Sequence, residues 1–137
     1  MAIQFSAASR SAQAQAHETT IGTSPILRIR SGAPPASCAA SRTGTVLASM
    51  TLPSDWASVS SGVLSQVGTW EDLTADATGD AGHYEIVDSG GTVCHEQGTI
   101  TTVATGTGDM LLSQATLGIV AGQRVYVSTF TRTWPGA

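Results

Sequence analysis

The chain has 137 residues and a formal net charge of −4, and charged residues make up only 12% of it, about half the usual share of roughly 25%. That length makes one domain able to bury most of its apolar side chains. Lysine is absent, and the cations are Arg10, Arg28, Arg30, Arg42, Arg124 and Arg132. This balance excludes the clustered basic footprint of a nucleic-acid binder, and no run approaches the roughly 20 apolar residues of a membrane span.

The N-terminal stretch has one basic residue and no long apolar core, so it does not read as a secretory signal, and synthesis in the cytoplasm is expected. Ser6 to Thr19 is rich in Ala, Ser and Gln. Ser6 reads as an N-cap and Gly22 as a stop, with a thin face of Ala8, Ala12 and Ala16. Such a helix buries little by itself and needs a β domain or a neighbour to pack on; an extended arm is the alternative. Residues 1–24 form this arm or helix, and residues 25–137 the β domain.

Strands are expected at Ile26–Arg30, Gly44–Leu52 and Val67–Leu73, with a Pro34-Pro35 connector after the first. Ser54-Asp55-Trp56 reads as a short turn and Ser58–Ser65 as a Ser-rich loop. His83 to Gln97 carries the strongest signal. Period-two alternation interrupted by Ser89-Gly90-Gly91 predicts a β-hairpin, with strands at 83–88 and 92–104. Gly106-Thr107-Gly108-Asp109 turns the chain into Met110-Leu111-Leu112. A connector at 117–122 leads to a final strand over 123–133, alternating Val125, Val127 and Thr129 with Tyr126, Ser128 and Phe130. Seven or eight short strands with little helix predict an all-β fold, an antiparallel β-sandwich or jelly-roll-like domain. Its expected core is Leu27, Ile29, Leu47, Trp70, Tyr84, Ile86, Val93, Leu111, Val125 and Val127.

The chemistry is sparse. Cys94-His95-Glu96 is the one cluster of reactive types, but adjacent strand positions face opposite ways, so Cys94 and His95 cannot pair as nucleophile and base. His83 and His95 can meet across the hairpin, yet no metal-ligand spacing accompanies them. Asp76, Asp80 and Asp88 suit turns and lack the order of a calcium loop. Residues 105–108 have no following lysine, so they make no phosphate loop. No catalytic, cofactor or metal site is expected. Cys38 and Cys94 are expected as free thiols, with a mutual disulfide as the alternative. Arg28 and Arg30 share one strand face, where they either hold a partner's carboxylate or lie solvated. Trp134, near the C-terminus, either anchors a partner or packs back on the domain.

The segments IGTSPILRIRSGAPPASCAA (21–40), TVLASMTLPSDW (45–56), GTW (68–70), HYEIVDSGGTVCHEQGTIT (83–101) and GDMLLSQATLGIVAGQRVYVSTFTRTWPGA (108–137) resemble small virion structural proteins of tailed bacteriophages. The resemblance covers most of the chain after residue 20. It implies a non-enzymatic assembly role on the virion, best matched by a capsid decoration or cement protein made in the bacterial host cytoplasm. A neck, tail or fibre-associated part is the rival, and a carbohydrate-binding adhesion module a further alternative. The implied partners are the phage major capsid protein and the chain itself as a dimer or trimer, with no nucleic acid and no membrane. The residues expected at such contacts are Ile3, Phe5, Arg10, Arg28, Arg30 and Trp134.

Overall fold

The computed structural model describes residues 3–102, 109–114 and 116–137. Among them the chain is mostly β, with one helix, α1 (Ala7–Ile21). The strands are β1 (Ile26–Ser31), β2 (Val46–Thr51), β3 (Ala57–Ser60), β4 (Val63–Gln66), β5 (Glu71–Asp72), β6 (Gly79–Val87), β7 (Cys94–Thr102), β8 (Met110–Leu112), β9 (Gly118–Ile119) and β10 (Val125–Thr133). They form one curled sheet in the order β2-β1-β6-β7-β8-β10-β4-β3, with β5 on β10 and β9 on β6. The expected turn at 106–108 and strand positions 103–104 lie outside the described residues.

The sheet is mixed, which corrects the expectation of purely antiparallel strands. β7 and β8 run parallel, with Ile100 opposite Met110 and Thr102 opposite Leu112. Parallel neighbours usually need a connection of a dozen residues or more. β8 is only three residues long.

Eight of the ten expected core residues are buried: Leu27, Ile29, Leu47, Trp70, Tyr84, Ile86, Val125 and Val127. Val93 instead sits 50% exposed beside the hairpin turn. Leu111 is half-buried, while its neighbours Met110 and Leu112 point inward. The final strand changes face for a definite reason. Its register on β8 shifts between Val127 and Thr129, and this irregularity buries Phe130 in place of Thr129. Phe130 then joins an aromatic row, with ring centroids 5.0 Å from Trp70 and 6.2 Å from Tyr84, and Trp70 lies 6.0 Å from Trp56. Such tilted and edge-on pairs add stabilisation beyond simple area burial.

The Ser-rich segment expected to be a loop is a two-stranded hairpin. Ser60 pairs with Val63, and the two linking residues both have left-handed backbones, φ 50° at Ser61 and 79° at Gly62. That is the mirror-image turn whose twist suits a tight hairpin.

Helix α1 caps this hairpin. The Ser6 hydroxyl accepts from Ser9 N at 3.1 Å, and Gly22 N–H closes the last turn on Glu18 O. The buried face differs from the expected one. Ala8, Ala12 and Ala16 are exposed, whereas Ala14 and Ile21 enter the core. Arg10 donates to Ser61 O at 3.1 Å, and the Ser11 hydroxyl accepts from Gly62 N at 2.9 Å. The helix is therefore a part of the domain's packing.

Strand β6 is buried on both sides: His83, Tyr84, Glu85, Ile86 and Val87 are all shielded from solvent. Tyr84 and Ile86 face the aromatic core. The other side is covered by the chain between β1 and β2. At Gly82 that cover comes so close that a Cβ would lie 2.0 Å from Gly32 O, so the position admits only glycine. This covered side holds the main polar cluster.

Candidate functional site

Alternation on β1 and β6 places Arg28, Arg30, His83 and Glu85 on the covered side, since Arg28 pairs with Glu85 and Arg30 with His83 across the ladder. Strand β7 adds Gln97 opposite Glu85 and Cys94 opposite Val87. A register shift between these two pairs makes His95 an extra residue, which puts Cys94 and Gln97 on one face despite their odd spacing.

Glu85 is the centre. Its side chain is fully buried, with Arg30 Nε at 2.9 Å, Arg42 Nη1 at 3.0 Å and Arg28 Nη1 at 3.6 Å. Burial alone would push this carboxyl up. The hydrogen bonds and charges of Arg30 and Arg42 outweigh that and hold it below the usual carboxylate range.

Arg42 comes from the covering loop and is saturated by it. Nη1 donates to Glu85, to Gln97 Oε1 at 3.1 Å and to Cys94 Sγ at 3.6 Å. Nη2 donates to the carbonyls of Ser37, Cys38 and Ala40 at 2.8, 3.1 and 2.9 Å. One guanidinium thereby ties the loop to the sheet. A cavity of about 210 Å³ remains beside it, lined by Arg28, Arg42, Cys38, Cys94, Val87 and Thr92 among others.

The paired arginines do hold a carboxylate, as their spacing suggested, but it belongs to the same chain. The expected alternative of a solvated face does not occur. Sequence reading missed Glu85 and Arg42. A charged residue inside the apolar pattern of β6, and a lone arginine following a Cys-containing loop, were the available signals.

A second cluster surrounds Glu96 at the junction of α1, β7 and the C-terminal tail. Glu96 Oε1 lies 3.0 Å from His17 Nε2. Oε2 accepts from Tyr84 Oη at 2.5 Å and from Arg132 Nη2 at 2.7 Å and Nε at 3.1 Å. Burial pushes the Glu96 carboxyl up, against the pull of His17, and Asp109 adds to the rise. Burial also brings the Arg132 guanidinium down to about 10, which leaves it charged near neutrality. Trp134 packs back with its ring 5.5 Å from that of His17, and both line a cavity of about 150 Å³ with Arg132 and Pro135. Three side chains, His17, Tyr84 and Arg132, thus occupy Glu96 through four contacts, an arrangement that fastens helix and tail to the sheet.

The histidines do not meet. His83 lies opposite Thr99 in the hairpin register, and its Nδ1 bonds Gly32 O at 2.8 Å. Among the described residues no group of three or more His, Cys, Asp or Glu side chains is placed to hold a metal ion. Asp88 serves its turn: its carboxylate accepts from the amides of Thr92 and Val93 at 2.8 and 3.1 Å. Those two amides hold its carboxyl below the usual range. Of the residues expected at partner contacts, Arg10, Arg28, Arg30 and Trp134 have intramolecular partners, while Ile3 and Phe5 are 76% and 44% exposed.

Comparison with known protein families, with characterised proteins and with solved structures finds no match to this chain.

Proposed function

We propose that this chain is a non-enzymatic structural protein of a tailed-phage virion, made in the host cytoplasm and bound to the head surface as a decoration or cement protein. In this reading the curled sheet is the sandwich of a jelly-roll-like domain. The domain makes symmetric contacts with its own copies, and the N-terminal tip reaches the major capsid protein.

The observation that carries the reading is the tip itself. Ile3 and Phe5 precede α1 with much of their apolar surface in solvent. The tip is anchored: Phe5 N donates to Gly136 O at 2.6 Å, and the Phe5 ring lies against Gly136. An anchored apolar tip loses little conformational freedom when a partner covers it, so its burial contributes to binding more fully than a loose tail would. The arginines support the same view. The charges of Arg28, Arg30, Arg42 and Arg132 are met within the domain by Glu85 and Glu96, and Arg124 pairs with Glu71 at the surface. A modest contact repeated by symmetry stabilises the assembled state by mass action.

Co-sedimentation with phage heads lacking the native protein tests this. Intact protein should pellet with heads, and a variant carrying Ile3→Ser and Phe5→Ser should bind at least tenfold more weakly. Binding to neck or tail assemblies alone would move the protein to those parts of the virion. Binding to a glycan array without any binding to virion parts would replace the assembly reading with an adhesion role.

A further inference from the structure

The loop between β1 and β2 carries Cys38, and β7 carries Cys94. Both are free. They line the same cavity, and Arg42 bonds to both residues, to the carbonyl of Cys38 and to the sulfur of Cys94. The Cys94 thiol feels Cys38 as an electrostatic neighbour. The only two cysteines of the chain, far apart in sequence, are thus brought to the wall of one cavity under a loop that the Arg42 guanidinium helps to hold down.

We infer that Cys38 and Cys94 form a dithiol site that takes up two-electron oxidation as an intramolecular disulfide, stapling the covering loop to the sheet. The oxidant is a small disulfide such as oxidised glutathione. The Cys38 sulfur, on the loop, attacks one glutathione sulfur; the S–S bond of glutathione breaks, a protein–glutathione disulfide forms, and one reduced glutathione leaves. Cys94 then gives up its proton and attacks the Cys38 sulfur, and the second reduced glutathione leaves. The protein loses two thiol hydrogens and the glutathione pair gains them.

The order of attack follows from the surroundings of Cys94. Burial, with Cys38 as a neighbour, pushes its thiol up to about 12. A thiol so rarely ionised is a poor first nucleophile, and it enters only when a disulfide sulfur is held beside it. The staple is therefore slow in a reducing cytoplasm and accumulates in oxidising surroundings. It closes a chain loop of about 57 residues, long enough to restrict the unfolded chain appreciably. The inference is independent of the proposed virion role, because it concerns the domain's own chemistry.

The test uses the full chain, purified reduced and then equilibrated in glutathione buffers of rising oxidised fraction. After quenching, the protein is unfolded and alkylated with N-ethylmaleimide. With excess oxidised glutathione the expected mass is that of the protein less two hydrogens, with no alkyl group added. Cleavage after arginine should yield the peptide 31–42 joined to 43–124. The oxidised form should melt on the order of 10 °C higher than the reduced form. Cys38→Ser and Cys94→Ser should each remain alkylated or glutathionylated at the remaining thiol and melt like the reduced protein. Two alkylated cysteines in the wild-type chain at the most oxidising ratio, or linkage solely between separate chains, would overturn the inference.

Discussion

Arg42 and Glu85, 43 positions apart in sequence, meet at 3.0 Å beneath the covering loop, and the same guanidinium reaches three carbonyls of that loop. The pair connects two levels of structure. Glu85 is placed by the strand ladder, and Arg42 by a loop with no regular hydrogen-bond pattern of its own. The buried ionic contact therefore joins two neutral hydrogen bonds, His83 to Gly32 O and Gln97 to Pro35 O, in holding the loop on the sheet. Removing a partner from such a contact leaves charges without compensation in a poorly solvated place.

The first prediction is that Glu85→Gln destabilises the protein by roughly 3–5 kcal/mol at neutral pH, because Arg28, Arg30 and Arg42 are then left facing one another. The pH dependence has a definite sign. The folded-state carboxyl titrates below its unfolded value of about 4.5. Its stabilising contribution is therefore complete above that value and disappears as pH falls through the lower folded value. Urea unfolding of wild type and variant at pH 7 and pH 3.5 should show the gap shrinking in acid. A gap that is constant or grows in acid would contradict the assignment.

The second prediction concerns the irregularity in β10. Phe130 is buried and Thr129 exposed, the reverse of unbroken alternation. Phe130→Ala should cost roughly 3–5 kcal/mol by opening a cavity beside Trp70 and Tyr84. Thr129→Ala should change stability by no more than about 0.5 kcal/mol. Chemical denaturation of the two variants distinguishes the arrangements, since a regular strand would give the opposite ranking.

A third outcome is expected at the β3–β4 turn. Gly62 has φ 79°, and a Cβ there would lie 2.7 Å from Arg10. Gly62→Ala should therefore lose roughly 1–2 kcal/mol from the left-handed backbone alone, and more if Arg10 is displaced. Ser61→Gly relieves the backbone at φ 50° and should leave stability unchanged or raise it. Denaturation midpoints at constant m-value report both effects.

These sites also show what the sequence made legible. Strands β1, β2, β7 and β8, β6 from His83 onward, most of β10 and the caps of α1 are readable because alternation, Gly turns and an N-cap serine are local signals. The β3–β4 hairpin is not. Its exposed positions are serines, and Ser-Gly marks a left-handed turn less distinctly than Asn-Gly. The inward Phe130 and the shared face of Cys94 and Gln97 both follow from register shifts, which depend on the neighbouring strand. Alternation did place Arg28 and Arg30 together. Their carboxylate stayed hidden because the contact is set by ladder register, and Arg42 because the loop's path is fixed only by the assembled sheet. The buried face escapes sequence reading because Ala14 is no more apolar than the alanines at 8, 12 and 16, and Ile21 stands alone at the helix end.

The final prediction separates the tip of the N-terminal segment from its helix. All ten core residues expected from the sequence lie beyond residue 20, which by itself predicts that residues 1–20 are dispensable for folding. The structure puts Ala14 and Ile21 into that core, sets Gly22 O against Trp56 Nε1 at 2.9 Å and fastens His17 to Glu96 at 3.0 Å. Deleting residues 1–21 should therefore lower stability by several kcal/mol, on the order of a large-to-small core change. His17→Ala should cost roughly 1–3 kcal/mol, the scale of a hydrogen bond to a charged group. It should also raise amide hydrogen exchange along α1 more than in β6. Ile3→Ser with Phe5→Ser should stay within about 1 kcal/mol of wild type, because both side chains are largely in solvent. Hydrogen exchange read by mass spectrometry and urea titration of the three variants measure this ordering. If the double-serine variant proves as unstable as the deletion, the tip belongs to the fold and its loss of head binding would say nothing about a contact surface. If it folds normally, weakened binding by that variant reports on the contact itself.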